Sequence, residues 1–492
     1  MANDMIPEFA IVGHPNEGKS AVVSTLAEDD TVRVTPYPGE TMECQTFPVI
    51  IDGHEIIRFI DTPGFQNPRK TLAWIKNYQE ADNRMLQSYL EIHAGKPDFQ
   101  DDARLLEPIA RGAGIIYVVD GSRPVRKVDL AEMEILRLTG RPRMAIINCK
   151  EDETAYLEQW KIEFRKHFNA IRVFNANKAT YAERIELLDN LKGIDQDWGP
   201  ALETVIAVFE KDWEQRNRQT AEIICDLLEE CLAYSITKIY TRNSDEKSLK
   251  RGLRVEYNRT IERMEKRAHG KIRKLFKHNI FNLPLPPHSI LSEDLFSKKT
   301  WQLLGLTPKQ LIAAAGMAGG AIGAALDLAA AGLTFGIFTT AGGLLGAGWA
   351  AFGGGKRLAR AKVVGLNLGG QQIRIGPIEN IQFIYILLDR VLIFYSHIIN
   401  WAHGRRDYPI EESSAKGAVK TGFTFEWDDK KKGICQSFYT ANRSDDEWKK
   451  GLSRKTLKGM LREILLSISQ SNPSQPPTFS TRHSNSPSPK RT

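Results

Sequence analysis

The sequence predicts an α/β domain over residues 1–195, followed by a mostly α-helical half. Three observations carry this. A short apolar run, "EFAIV", enters a glycine-containing loop, "GHPNEGKS", and leaves it through "AVVSTL", the order strand, loop, helix. Further β-rich runs, "FPVIIDGHEIIRFID", "AGIIYVVDGS", "RMAIINCKED" and "RVFNANKAT", imply a mostly parallel sheet with one antiparallel edge hairpin and helices on both faces. After Gly199-Pro200 the spacing becomes that of long helices, with Leu202, Val205, Ile206, Phe209 and Trp213 on one stripe.

The loop comes first. Gly13, Gly18, Lys19 and Ser20 stand at the spacing G-x-x-x-x-G-K-[ST], with Asn16 and Glu17 between the glycines. Glycines let consecutive N–H groups converge on one centre, and the helix behind them adds its positive end, so the loop suits a phosphate chain. Lys19 is placed to reach the β- and γ-phosphates, and the Ser20 hydroxyl to bind Mg²⁺. The next two runs flank Asp52-Gly53, a dipeptide made for a tight hairpin turn. The second run ends in "DTPG". Asp61 is expected to hold Mg²⁺ through water, and the Gly64 N–H to sense the γ-phosphate. Thr41, in "TPYPGETMEC", is expected to close over the phosphate and give the metal a second hydroxyl. Near the base, Lys150 and Asp152 form an x-K-x-D loop. Its carboxylate accepts from guanine N1–H and the exocyclic amine, which adenine does not offer. Asn175, Ala176 and Asn177 follow the last strand, where a backbone N–H is expected to meet guanine O6.

These segments, in this order, resemble the P-loop GTPases of the TrmE–Era–EngA-like branch of the translation-factor class. "GHPNEGKS" is similar to that branch's G-x-P-N-x-G-K-S, and "PGETME" to its switch I motif. The resemblance implies GTP and GDP as substrate and product. It assigns Mg²⁺ to Ser20, Thr41 and Asp61, and catalysis to Lys19, Thr41 and Gly64. It implies nucleotide contacts from Gly13, Asn16, Glu17, Gly18, Lys19, Ser20, Lys150, Asp152 and Asn175–Asn177. Cys149 stands where Asn or Thr is usual, so a hydrogen bond bracing the base-reading loop is expected to be weakened or lost. Asn175 replaces the usual Ser. Phe65 follows "DTPG" where Ras-type enzymes carry a water-positioning Gln, and an apolar side chain cannot orient water. Intrinsic hydrolysis is therefore expected to be slow. In the resembling branch the residue matching Asn16 can hold K⁺ in place of an arginine finger, and two GTPase domains pair around it. Residues 69–111 exceed a minimal switch II region and predict an added, mostly helical, reporting surface.

Composition narrows the remaining classes. The chain has 492 residues, 42% hydrophobic and 26% charged, which is globular. Five cysteines without a C-x-x-C pair suit a reducing compartment and argue against a disulfide framework or a zinc site. "MANDMIPEFAIVGHP" lacks the basic start and apolar core of a signal peptide. The net charge of +7 is concentrated in residues 242–278, with thirteen Lys/Arg against five Asp/Glu. Such a stripe is either a solvated helix face or a surface for acidic lipid or nucleic acid.

The second half is read as a helical, basic domain at 196–300, a Gly/Ala-rich hairpin at 305–356, a mostly helical region at 357–470 and a Ser/Pro-rich tail at 471–492. "LPLPPHS" at 283–289 marks a linker. Residues 311–355 carry one charge, Asp327, and repeat small residues four apart, as at Gly316/Gly320 and Gly342/Gly346. That length allows two spans, and lysines and arginines flank both ends, which implies a hairpin open to the cytoplasm. The competing reading is a soluble hairpin buried by neighbouring helices. The run "IENIQFIYILLDRVLIFYSHIINWAH" holds Asp389 and Arg390 at its middle and is expected to be a buried core helix. The layout is similar to a family of bacterial GTPases whose C-terminal region has no assigned function. The leading reading is a GTP-hydrolysing switch on the cytoplasmic face of the inner membrane, with lipid, an unidentified protein and a second G domain as partners. The alternative is an RNA- or ribosome-associated GTPase.

Overall fold

The computed structural model describes residues 6–28, 43–79, 84–149, 155–176, 179–240, 245–277, 289–307, 310–311, 362–363, 366–367, 371–400 and 422–470. Thr41, Lys150, Asp152, Asn177, the linker to residue 288, nearly all of 311–355 and the tail lie outside these residues.

In the first part, β1 (Glu8–Val12) leads into α1 (Lys19–Ala27), and β2 (Gln45–Ile51) turns back as β3 (His54–Asp61). The hairpin turn holds Asp52 at φ 52° and Gly53 at φ 82°. Two positive φ values match the right-handed twist of the strands, and this is why Asp-Gly sits there. Then come α2 (Pro68–Asn77), α3 (Met85–His93), α4 (Gln100–Arg111), β4 (Gly114–Asp120), α5 (Lys127–Leu138), β5 (Arg143–Asn148), α6 (Leu157–His167), β6 (Ala170–Phe174) and α7 (Tyr181–Lys192). The sheet order is β2-β3-β1-β4-β5-β6, with β2 antiparallel to β3 and the other pairs parallel.

The central strands are apolar on both faces because both are covered. Phe9, Ile11, Ile116, Val118 and Ile146 pack under α1 and α7. Ala10, Val12, Ile115, Tyr117 and Ile147 pack under α4, α5 and α6. The parallel strands all end toward the loop after Val12, which is where open α/β sheets bind ligands.

The second part is built on α8 (Gly199–Ala233), whose Pro200 occupies the first turn, where its missing N–H costs nothing. Leu202, Val205 and Phe209 of α8 complete the core beneath α1. From Trp213 onward the same helix belongs to a second core. That core is closed by β7 (Ile236–Tyr240), α9 (Glu246–Leu275), α10 (Lys298–Leu303), β10 (Gln371–Ile375), α11 (Gln382–Ile399), α12 (Asp429–Asn442) and α13 (Glu447–Gln470), while the short strands β8 (Lys362–Val363) and β9 (Leu366–Asn367) pair with each other. β7 and β10 form an antiparallel ribbon. Arg454 of α13 pairs with Glu222, Asp226 and Glu229, one acidic row of α8.

Among the described residues α11 alone is long and apolar enough to cross a membrane, and most of it is buried inside the protein. Its two charges are fully partnered. Asp389 accepts from Gly305 N at 2.6 Å, Thr424 N at 2.7 Å and Thr424 Oγ1 at 2.9 Å. Arg390 forks onto Glu265 of α9 at 2.5 and 3.1 Å and donates to the carbonyls of Ile290 and Glu293. A buried pair with every donor and acceptor used makes this the core helix its sequence predicts.

Candidate functional site

The site is built on the turn between β1 and α1. Gly13 has φ 147°, and a Cβ there would fall on the Val118 carbonyl of β4. Asn16 at φ 67° and Gly18 at φ 93° curl the loop further, and Gly18 caps α1. This left-handed sequence of residues aims main-chain N–H groups inward. The Lys19 ammonium lies across the loop and donates to Gly13 O at 3.3 Å and His14 O at 3.0 Å. Burial pushes its pKa below the usual lysine value, and the carboxylates of Asp61, Glu132 and Glu17 pull it back up. Ser20 Oγ donates to Asp61 Oδ2 at 2.6 Å, so a hydroxyl from α1 and a carboxylate from β3 share one spot.

A buried ionic frame holds this loop. The Glu17 carboxylate accepts from the Asp120 N–H and from Arg123 Nε at 2.8 Å. What Glu17 offers the loop's interior is therefore main chain. Arg123 continues to Asp129 at 2.7 Å. Burial raises the Asp129 pKa, but hydrogen bonds from Arg123 and Arg126 outweigh it and hold the carboxyl below its ordinary value. His14 Nδ1 lies 2.9 Å from Glu132 Oε1, and Tyr117 OH donates to Glu132 Oε2 at 2.8 Å. Burial pushes Glu132 up, against the His14 hydrogen bond. The partners Arg123, Asp129 and Glu132 were not singled out in the sequence, because they lie more than a hundred residues from the loop.

The segment after Asp61 packs directly on the loop. Thr62 Oγ1 donates to Ile11 O at 2.7 Å. A Cβ on Gly64 would meet the Pro15 ring at 2.5 and 2.7 Å, so only glycine fits there. Phe65 is buried in the core, while Gln66 is exposed. Asp102 of α4 then clamps the chain, accepting from Gln66 N at 2.7 Å, Asn67 N at 3.3 Å and Thr71 Oγ1 at 2.6 Å. Burial holds its pKa above the usual carboxylate value. The extra stretch at 69–111 is thus α2, α3 and α4, stitched by Trp74, Tyr89, His93 and Phe99.

At the base end the structure corrects the sequence reading. The brace expected to be lost at Cys149 is made by its neighbour. Asn148, the last residue of β5, donates to Glu17 O at 3.1 Å and accepts from Ala176 N at 3.2 Å. One side chain thereby ties the phosphate loop to the Asn175–Ala176 turn. The Ala176 N–H is consequently committed to Asn148, and Thr25 Oγ1 donates to Ala176 O at 2.9 Å. The structure brings together Gly13, Asn16, Glu17, Gly18, Lys19, Ser20, Asp61, Gly64, Asn175 and Ala176 at the C-terminal edge of the sheet. Thr41, Lys150, Asp152 and Asn177 are outside the described residues.

A further junction was invisible in the sequence. Glu28 caps the far end of α1 at φ 51°. Its buried carboxylate pairs with Arg184 of α7, Arg216 of α8 at 2.8 Å and Lys277 after α9 at 3.4 Å. The helix that starts at the phosphate loop therefore ends on cations from both halves.

Comparison with known proteins agrees with this architecture. Residues 8–149 match a family model described as "50S ribosome-binding GTPase". Residues 163–464, more than half of the chain, match a family model described as "Domain of unknown function (DUF3482)". The chain belongs to that DUF3482 family. Its N-terminal part is a P-loop GTPase domain of the TrmE/Era/EngA type, and its DUF3482 region forms the helical half.

Curated relatives include a GTPase Der of Agathobacter rectalis, 36% identical over 121 residues, covering 23% of this chain and 27% of that protein. A GTPase Der of Thermotoga petrophila is 24% identical over 161 residues, covering 33% and 31%. A tRNA modification GTPase MnmE of a Thermotoga species is 25% identical over 193 residues, covering 38% and 42%. The chain spans about a third of the length of these relatives. Among solved structures, Era in complex with MgGDPNP and 16S ribosomal RNA nucleotides is 16% identical, with a TM-score of 0.27 over 55% of this chain and 89% of that one. NFeoB from S. thermophilus bound to GDP.AlF4- and K+ is 16% identical, with a TM-score of 0.25 over 56% and 97%.

Proposed function

We propose that this DUF3482-family chain binds and hydrolyses GTP as a molecular switch, and that it works on the cytoplasmic face of the inner membrane. The observation that carries the GTPase reading is the curled loop from Gly13 to Gly18 with Ser20 Oγ 2.6 Å from Asp61 Oδ2. Hydroxyl and carboxylate oxygens beside a phosphate nest are the hard donors that suit Mg²⁺. Ser20, Asp61 and Thr41 would hold Mg²⁺, which would supply charge neutralisation for the β- and γ-phosphates.

The chain's own groups do the rest. Lys19 leaves the Gly13 and His14 carbonyls for the triphosphate, and loop N–H groups surround the β-phosphate. Gly64, free of any side chain against Pro15, brings its N–H to the γ-phosphate. Lys150 covers the base, Asp152 reads its N1–H and amine, and Asn148 keeps the phosphate and base loops in register. The O6 contact falls to a main-chain donor other than the committed Ala176 N–H.

Phe65 is buried and cannot hold the attacking water, so charge compensation is assigned to K⁺ at Asn16 with pairing of two G domains. Equal stimulated rates in Na⁺ and K⁺ would remove that part. Calorimetry with Mg²⁺ tests the core: wild type binds GTP and GDP, Lys19→Ala does not, and Asp152→Asn shifts preference from guanine to xanthine nucleotides. Guanine selectivity unchanged in Asp152→Asn overturns the base assignment.

Membrane attachment rests on the single charge in residues 311–355 and their basic flanks. A second reading, a ribosome-associated GTPase, is favoured by the description of the family model over residues 8–149. It predicts salt-sensitive co-sedimentation with ribosomes, whereas membrane insertion predicts pelleting that resists salt and yields to detergent.

A further inference from the structure

The basic stripe resolves into one helix face. α9 buries Leu253, Tyr257, Ile261, Glu265, Ala268 and Ile272. Arg251, Arg259, Arg263, Lys266 and Lys274 are exposed on the other side. Arg259, Arg263 and Lys266 follow at intervals of four and three, so they share a face, and Arg251 and Lys274 extend it to about 35 Å at 1.5 Å per residue. Among the described residues none of these five makes an ion pair, although Arg267 beside them reaches Glu230 at 3.9 Å. Glu256 is the exposed carboxylate on the same stretch.

We infer that this face is a docking surface for an anionic lipid bilayer. The inference rests on the membrane reading above and deepens it. Charge is the first argument: a straight row of cations matches a flat sheet of anionic headgroups. The second is what accompanies the charges. Val255 lies in the row at 44% exposure. Aliphatic residues among cations suit the headgroup boundary. Single-stranded nucleic acid calls for exposed aromatic platforms, and the row contains none.

The third argument is where the chain goes. Glu265 of α9 holds Arg390, and the adjacent Asp389 holds Gly305, six residues before the apolar stretch 311–355 begins. Beyond it the chain runs through β10, and Gly376 packs against the Tyr257 ring of α9, where a Cβ would come within 2.6 Å. The helix carrying the cations thus anchors the described chain before and after that stretch.

The test is flotation of the full chain with vesicles of phosphatidylcholine alone and of phosphatidylcholine mixed with phosphatidylglycerol, at low and high salt. Wild type is expected to partition more strongly onto the anionic vesicles, with salt erasing the excess. Arg259→Gln/Arg263→Gln/Lys266→Gln is expected to lower that partition by about 100-fold, from roughly fivefold per removed charge. Its unfolding midpoint reports that the fold is kept. If wild type floats equally on both vesicles, the docking surface falls while membrane insertion stands. If it floats only on anionic vesicles and the triple variant loses this, the surface stands and insertion through 311–355 falls. Flotation on neither overturns both, and binding of duplex RNA through the same three residues without flotation assigns the face to nucleic acid instead.

Discussion

Asn148→Ala is the sharpest probe of the nucleotide site. The wild-type side chain makes two buried hydrogen bonds, to Glu17 O at 3.1 Å and from Ala176 N at 3.2 Å. Alanine removes both and leaves a carbonyl and an N–H without a partner in a buried position. Each such group costs about 1–3 kcal/mol, so the total is about 2–6 kcal/mol. Part is felt in folding stability, and part in binding, because a nucleotide spans the two loops that Asn148 joins. Titration with a fluorescent GDP analogue is expected to show affinity at least about tenfold weaker, since 1.4 kcal/mol is one decade. Urea unfolding reads the remainder. Asn148→Asp keeps the acceptor for Ala176 but sets a buried carboxylate oxygen against the Glu17 carbonyl oxygen, so it is expected to cost at least as much as alanine. Cys149→Asn is expected to change affinity by less than about threefold, because the brace is already made. Wild-type affinity and stability in Asn148→Ala would refute the reasoning, as would rescue of that variant by Cys149→Asn.

Two other perturbations follow from buried charge. Glu28→Ala leaves the guanidinium groups of Arg184 and Arg216 without their shared anion, and urea unfolding is expected to show a loss of about 3–5 kcal/mol. His269 stacks on Phe394 at 4.0 Å, and burial pushes its pKa down to about 4, with Glu265 raising it and Arg390 lowering it. The neutral ring is favoured in the fold. Its contribution is complete above pH 6.5 and disappears as pH falls toward 4, about 3 kcal/mol in all. His269→Gln is expected to flatten that part of the stability–pH curve, and an unchanged slope would contradict the assignment.

The parts of this molecule that were legible in its sequence are those set by neighbours in the chain. Asp52-Gly53 makes its turn from two residues' backbone preferences, and Gly13, Gly18 and Gly64 stand where a Cβ or an ordinary φ fails. Asn148 escaped because the brace was assigned to a motif position, whereas the structure uses whichever side chain at the strand end reaches both loops. The Glu28 junction pairs residues far apart in sequence, so no local pattern announces it. Residues 357–470 read as mostly helical, but the bounds of α12 and α13 are not marked within their lysine-rich stretch. Yet Leu457, Leu461, Ile464, Leu465 and Ile468 repeat at helical spacing and are buried or nearly so, and a count by face would have found them.

The adjacent charges on α11 also decide how the helical half answers a mechanical load. A pull on the chain beyond Leu311 passes through Gln310, whose amide donates to Phe425 O, and Leu306, whose carbonyl accepts from Gln382, to Gly305, whose N–H is moored to Asp389, and Asp389 belongs to a helix that Arg390 rivets to α9. Tension at that strand of chain is spread across the whole bundle instead of peeling off one helix, so whatever tugs there moves the helical half as a single block.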